Sequence, residues 1–533
     1  MDNILILTII VVIYLFMIGY LGYYGYRKTK TALDYLVAGR NIHPFVMAVS
    51  YGATFISTSA IVGFGGAAAF FGMGLLWLTF LNISVGIMIA FIVFGKRTRK
   101  MGHNLDVHTF PELLGRRFNS AFIQGFAGLV IFLFMPLYSA AVLIGAVRFI
   151  ETTFSPAINF NVGLLIYTLI ITGYVLAGGL KGVMYTDALQ GTIMFVGMAA
   201  LLVLTYTKLG GVINAHQALG ALTPHVPEKL AAIGHLGWTS MPKFGSSLWW
   251  NLVSTIVLGV GIGVLTQPQL AVRFMTVKSN KEINRGVAMG GIFILMMTGV
   301  AFVVGALSNA YFFNNPQFAK ISMAVAGGNI DKIIPMYINA AMPTWFVYLF
   351  MLTLLSAAMS TSSSQFHAMG TSIGRDFFER IILEGKQSKY TVLITRIGIL
   401  IGVLVTIVLG YKLPGSVIAV ATAIFFGLCA STFLPTYIGT LFWKGMTKVG
   451  SIMSMAVGFF GTAFWLLFVH QKESEAIGLC KFIFNKPTLA VFPWIVIDPI
   501  VVVLPISLFV ALLVSLMTRK PSKEHIEHCF KHI

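Results

Sequence analysis

Charge is what this chain has least of: 10% of its 533 residues are Asp, Glu, Lys or Arg, against 57% hydrophobic. Soluble domains do not carry that balance, and the apolar runs recur from end to end. Cysteine is scarce too. Cys429, Cys480 and Cys529 stand far apart, which leaves no disulfide framework and no zinc motif. No GxxxxGK[ST] loop occurs, which argues against ATP hydrolysis by this chain. The apolar segments hold almost no His, Asp or Glu at mid-span, so the clustered acid and base groups of a membrane enzyme are missing. The opening MDNILILTII has an acid and no basic stretch ahead of its apolar run, so it reads as a retained span and not as a cleaved signal peptide.

What is present is an all-α polytopic membrane protein. A barrel would show weak ten-residue alternation instead of long runs. The ~20-residue criterion gives about 13 transmembrane helices, an odd number that places the two termini on opposite sides. Most of the 36 lysines and arginines fall in one alternate set of connecting segments. Arg27, Lys28, Lys30 and Arg40 open that set, followed by Lys96, Arg97, Arg99, Lys100, Arg116 and Arg117. Later come Arg273, Lys278, Lys281 and Arg285, then Arg375, Arg380, Lys386 and Lys389. Such a bias sets the N-terminus outside and the C-terminus inside. The net charge of +19 is therefore a matter of topology, with no nucleic-acid partner implied. The expected setting is the plasma membrane of a prokaryote (its inner membrane), with the lipid bilayer as surroundings and no obligate protein partner evident.

The stretch Tyr348 to Arg375 has the length to cross a bilayer, yet carries Ser356, Ser360, Thr361, Ser362, Ser363 and Ser364 at its middle. Residues three and four apart share a helix face, so Ala357, Ser360 and Thr361 point together, as do Ser360, Ser363 and Ser364. Clustered hydroxyl oxygens are hard ligands suited to a small hard cation; the alternative is polar glue between helices.

Two other segments read as interrupted. The second span, MAVSYGATFISTSAIVGFGGAAAFFGMG, is too long for one straight crossing and rich in glycine. The seventh has Gly261 and Gly263 ahead of Gln267-Pro268, where proline removes a backbone donor. Paired interrupted spans in matching positions point to an inverted-repeat transporter with its site at the breaks. The expected organisation is a peripheral first helix and inner loop over 1–43 and a first five-helix repeat over 44–207. An outer loop over 208–246 leads to a second five-helix repeat over 247–443. Two peripheral helices and a cytoplasmic tail fill 444–533. Two carboxylates, Asp187 and Asp498, sit within or at the edge of apolar spans. An intramembrane acid costs at least ~2.5 kcal/mol and points to function; Asp187 is read that way, and Asp498, before Pro499, as a helix-start residue. The tail HIEHCFKHI spaces His525, His528, Cys529 and His532 as a conceivable metal cluster, but a frayed basic terminus is the expectation.

The motifs DYLVAGRNI, ATFISTSAIVGFGGAAAFFGMG, LAGGLKGVMYTDALQG, TQPQLAVRFM and SAAMSTSSSQ, in that order, resemble the sodium:solute symporters. That family includes the sodium/proline, sodium/pantothenate, sodium/glucose and sodium/sialic acid carriers. The likeness covers the chain from about Asp34 to Phe442 and implies the LeuT-type fold, in keeping with a 5+5 inverted repeat. It implies a main sodium site from the carbonyls of Ala53, Ile56 and Ala357 and the hydroxyls of Ser360 and Thr361. Members with a second sodium ion use positions matching Asp187, Ser360, Ser363 and Ser364. By the same resemblance Ser57, Thr58, Ser59, Tyr138 and Gln267 contact the solute, and no lysine or arginine lies near the pocket. The second span looks most like the pantothenate carriers, and Ser59 stands where proline carriers have tryptophan.

The implied function is sodium-coupled symport of a small organic solute, preferably a monocarboxylate or pantothenate, into the cell by alternating access. Two rivals remain: a proton-coupled permease using Asp187, and a membrane-embedded solute sensor.

Overall fold

With no water in the hydrocarbon core, every backbone N–H and C=O must be satisfied within the chain. The computed structural model describes residues 2–154, 159–383 and 390–533, so Lys386 and Lys389 lie outside it, and among the described residues there is no strand. Among the described residues eleven helices are long and apolar enough to cross a membrane. Two of them are far longer than one crossing needs: Ser59–Asn104 has 46 residues and Phe160–Lys208 has 49. Each is bent at a glycine in the left-handed region. Gly72 has φ 74°, and a Cβ there would lie 2.3 Å from the Trp238 carbonyl oxygen; Gly179 has φ 55°, with Tyr35 in the way. Only a residue without a Cβ adopts those conformations cheaply.

Burial sorts the helices into centre and periphery. The most apolar window of Ile418–Phe442 is 89% buried and that of Thr344–Ile382 67%, whereas Thr8–Lys28 is only 22% buried and Lys448–Phe468 28%. The central helices are therefore surrounded by protein, and their hydroxyl groups face other helices, not lipid. Small residues bring the backbones together, as membrane helix packing requires. A Cβ on Gly370 would stand 2.6 Å from the Thr395 carbonyl, and one on Gly305 2.0 Å from that of Gly65.

The C-terminal tail departs from the sequence expectation. Instead of fraying, Lys523–Cys529 is helical and Cys529 is fully buried. Among the described residues no group of three or more His, Cys, Asp or Glu could hold a metal ion. Asp498 does sit at a helix start, its Oδ1 accepting the Ile500 amide at 3.0 Å just ahead of Ile500–Met517.

Candidate functional site: an oxygen cluster at a helix break

The Pro44–Phe55 helix ends mid-molecule at Ile56, whose φ −92° and ψ 102° are extended, and helical structure resumes by Ser59. A helix end leaves its last carbonyls without amide partners. Here the hydroxyl-rich helix Thr344–Thr371 supplies hydroxyl donors in their place. Ser360 Oγ donates to the Ala53 carbonyl at 2.8 Å and lies 3.2 Å from that of Ala357. Thr361 Oγ1 is 3.4 Å from the Ala53 oxygen and 3.0 Å from that of Thr54. Of the five residues expected in the main sodium site, Ala53, Ala357, Ser360 and Thr361 thus converge through their oxygens, and Ile56 is where the helix opens. Thr54 adds a carbonyl that sequence reasoning missed. All of these residues are buried. Rotating the two hydroxyl protons away would turn the cluster into a set of hard oxygen ligands with no titratable member.

The second break falls at Gln267, with φ −71° and ψ 114°, directly before Pro268. The sequence pointed to Gly261 and Gly263 as well, but the backbone runs helical through both. They serve close packing instead: added Cβ atoms would meet Leu81 at 2.7 Å and the Phe426 carbonyl at 2.5 Å. Proline decides the break because it offers no amide.

The positions expected for a second sodium ion hold an arginine among them. Arg273, assigned by the charge count to an inner connecting segment, is completely buried. Its Nη2 donates to Asp187 Oδ2 at 2.9 Å, to Ser364 Oγ at 2.7 Å and to Thr54 Oγ1 at 2.5 Å, and its Nε to Ser50 Oγ at 2.9 Å. Ser50 in turn donates to Asp187 at 2.7 Å. Asp187 and Ser364 are therefore joined through a guanidinium, while Ser363 turns its hydroxyl to the Ser360 carbonyl at 3.0 Å. The other carboxylate oxygen, Asp187 Oδ1, is buried without a hydrogen-bond partner. Two opposite charges at this depth each offset the other's desolvation. The signal for Arg273 was its place in TQPQLAVRFM, a lone charge in an otherwise uncharged run.

On the other side of the first break lies a small cavity of about 20 Å³ lined by Ser57, Ser59, Asn82, Tyr138, Thr298 and Thr422, with Phe55, Phe64, Phe302 and Phe426 as apolar walls. No charged residue lines it. Ser59 Oγ and Asn82 Oδ1 are buried there without protein partners. Ser57, Ser59 and Tyr138 are brought together as the sequence suggested. Thr58 is not at the cavity wall, because its hydroxyl is committed to the Val142 carbonyl. Nor is Gln267, whose amide donates to the Gly263 carbonyl at 3.2 Å. Asn82, Thr298 and Thr422 were missed; a single amide or hydroxyl in an apolar span looks like any other packing residue.

A sequence model of the sodium:solute symporter family matches residues 35–458. The osmoregulated proline transporter OpuE of Bacillus subtilis is 24% identical over 501 residues, covering 93% of this chain and 92% of that protein. The high-affinity proline transporter PutP of the same organism is 27% identical over 451 residues, covering 83% and 88%. Among solved structures, a substrate-bound, outward-open Na+-coupled sialic acid symporter superposes with a TM-score of 0.75 over 98% of both chains at 18% identity, a likeness of fold.

Proposed function

Because the chain belongs to the sodium:solute symporter family, it is a sodium-coupled carrier of the plasma membrane and not an enzyme, and we propose how its residues divide that work. Sodium binds the oxygens of Ala53, Ile56, Ala357, Ser360 and Thr361. The observation that carries this reading is the pair of hydroxyls reaching the Ala53 carbonyl from 2.8 and 3.4 Å. An ion there ties the broken helix to the hydroxyl-rich helix, and thereby fixes Ser57 and Ser59 one turn away, at the solute cavity. Coupling follows because the solute and the ion each bind better to the geometry the other stabilises. Alternating access, with the N-terminus outside and two five-helix repeats, completes the reading. The membrane potential contributes ~2.3 kcal/mol per charge per 100 mV.

The solute we propose is a small carboxylate with an apolar body that also carries an N–H or O–H. Phe55, Phe64, Phe302 and Phe426 suit the body, and the unpartnered Asn82 Oδ1 asks for a donor. A carboxylate would rely on hydroxyls and backbone amides, since no cation lines the cavity. Monocarboxylates and pantothenate fit this description; so does proline, the solute for which OpuE and PutP are named. A second sodium ion, if carried, would use Asp187 Oδ1 and the hydroxyls of Ser360, Ser363 and Ser364.

The test is uptake into proteoliposomes of a labelled panel (lactate, pyruvate, pantothenate, proline) with and without an inward sodium gradient. Accumulation driven by sodium and lost in Ser360→Ala and Thr361→Ala supports the assignment, and the panel identifies the solute. Unchanged sodium dependence in both variants would remove these hydroxyls from the ion site.

A further inference from the structure

The tail helix Lys523–Cys529 lies against two groups of helices, which also meet directly where Arg116 Nη1 donates to the Leu105 carbonyl at 2.8 Å. The first group is built around Lys96–Asn104. Arg99 donates to Asn280 Oδ1 and to the Lys278 carbonyl, both at 2.9 Å, and Arg40 pairs with Asp106 at 2.9 Å. Gly102 lets Met275 approach, a Cβ there meeting its sulfur at 2.6 Å. Arg99 and Gly102 thereby tie this group to the chain after the second helix break. The second group is built around Phe110–Arg117. Glu112 receives two hydrogen bonds of 3.0 Å from Arg375, and Asp376 receives one from Thr109 at 2.6 Å and one from Gln124 at 2.9 Å. It is fastened to the far end of the hydroxyl-rich helix.

Between the two groups is a cavity of about 20 Å³, walled by Pro268, Gln269 and Arg273 on one side and Thr109, His367 and Thr371 on the other. Widening it would open the path from the Arg273–Asp187 pair to the side on which Lys96–Asn104 and Phe110–Arg117 lie. In the alternating-access reading such an opening parts the two groups, at the Arg116–Leu105 contact as well as at the tail.

The tail holds both. Its last carbonyls, which a helix end leaves free, are taken by the first group: Lys100 Nζ donates to His532 O at 2.6 Å, and Asn104 Nδ2 to Lys531 O at 2.9 Å and Cys529 O at 3.3 Å. On the other side His525 Nε2 donates to the Arg117 carbonyl at 3.0 Å. The Phe530 ring lies 5.2 Å from the Arg117 guanidinium and 5.6 Å from the Lys444 ammonium. Arg117 is fully buried, and its Nε and Nη1 have no hydrogen-bond partner. Ring faces, of Phe530 and of Phe118 at 4.9 Å, are what this cation has in their place.

We propose that the Lys523–Cys529 helix and the residues after it form a strap that keeps the inner side closed by fastening Lys96–Asn104 to Arg117. The proposal rests on the alternating-access reading above. Opening inward costs the tail its contacts with one group or the other, so the strap lowers the population of the inward-open form and slows entry to it. Anything that lifts the tail favours inward opening.

The experiment uses the full chain with its three cysteines replaced by alanine or serine and Ala368→Cys as a reporter, since Ala368 lines the cavity. Inside-out vesicles are treated with a membrane-impermeant maleimide, with and without sodium. Phe530→Ala is expected to raise the labelling rate about threefold or more, the order of a lost cation–π contact, and Phe530→Tyr to leave it near the parent. Lys100→Met combined with Asn104→Ala should act in the same direction from the other end of the strap. Equal rates in the parent, Phe530→Ala and the double variant would overturn the strap. A parent rate indifferent to sodium would instead strike at alternating access, so the two failures are distinguishable.

Discussion

Replacing Arg273 by methionine keeps most of the side-chain volume and removes only the charge and its donors. In the intact protein neither Arg273 nor Asp187 has any exposed side-chain surface, and they meet at 2.9 Å. The variant leaves Asp187 Oδ2 with Ser50 at 2.7 Å and Thr54 at 3.3 Å, and Oδ1 with no partner at all. Stranding one member of a buried ion pair costs about 3–5 kcal/mol. Asp187→Asn, which strands the guanidinium, belongs in the same range. Removing both charges together, in Asp187→Asn with Arg273→Met, leaves no uncompensated charge and only unsatisfied hydroxyls, each worth about 1–3 kcal/mol. The double variant should therefore cost less than the two single ones added, by roughly 2 kcal/mol or more. The assay is equilibrium unfolding of purified protein in mixed micelles across the full cycle, repeated in sodium and in potassium. Sodium should stabilise Arg273→Met more than the parent, because a carboxylate freed of its guanidinium offers an anionic site for the ion. If the single costs simply add, or if Arg273→Met costs under about 1 kcal/mol, the pair is not the coupled buried unit described here.

Gly179→Ala forces a residue with a Cβ into φ 55° and ψ −161° and sets that atom 2.5 Å from the Tyr35 ring. A loss of about 1–3 kcal/mol is expected from the backbone conformation alone, read as a lower melting temperature; an unchanged melt would show that the bend relaxes freely. Asp331, next to the start of Ile418–Phe442, accepts the Val417 amide at 3.1 Å. Burial pushes its carboxyl up to about 6 from the usual 3.8, against the opposing pull of the Val417 and Ile418 amides and Arg148. The folded form therefore holds its proton more tightly than the unfolded chain. The contribution to stability is greatest near pH 4 and declines as pH rises to about 6. Melting curves between pH 4.5 and 7 should show that decline, and Asp331→Asn should flatten it; the same slope in the variant would assign it to another group.

Several features were fixed by local composition. The helical class follows from apolar runs that only helices can carry through lipid. The hydroxyl cluster of the proposed ion site was legible as well, because hydroxyls at positions 360 and 361 in an apolar span are costly unless something uses them. Proline announced the break at Gln267 for a similarly local reason. The break at Ile56 has no proline of its own, and its exact place depends on Ser360 and Thr361 being there to take the carbonyls of Ala53 and Thr54.

What the tertiary structure alone decided are the partnerships across long stretches of chain. Arg273 and Asp187 stand 86 residues apart, and a rule that counts basic residues places every arginine at the membrane edge. Burial of this one is tolerable only because a carboxylate and three hydroxyls from other helices surround it. Phe530 and Arg117 likewise meet only once the chain is folded. The spacing of His525, His528 and Cys529 allowed a helix in the tail, but its docking depends on carbonyls and a ring that find partners in Lys96–Asn104 and Arg117. Local hydrophobicity chooses which segments enter the membrane. Which polar groups can afford to follow them depends on what the packed helices bring within hydrogen-bond reach.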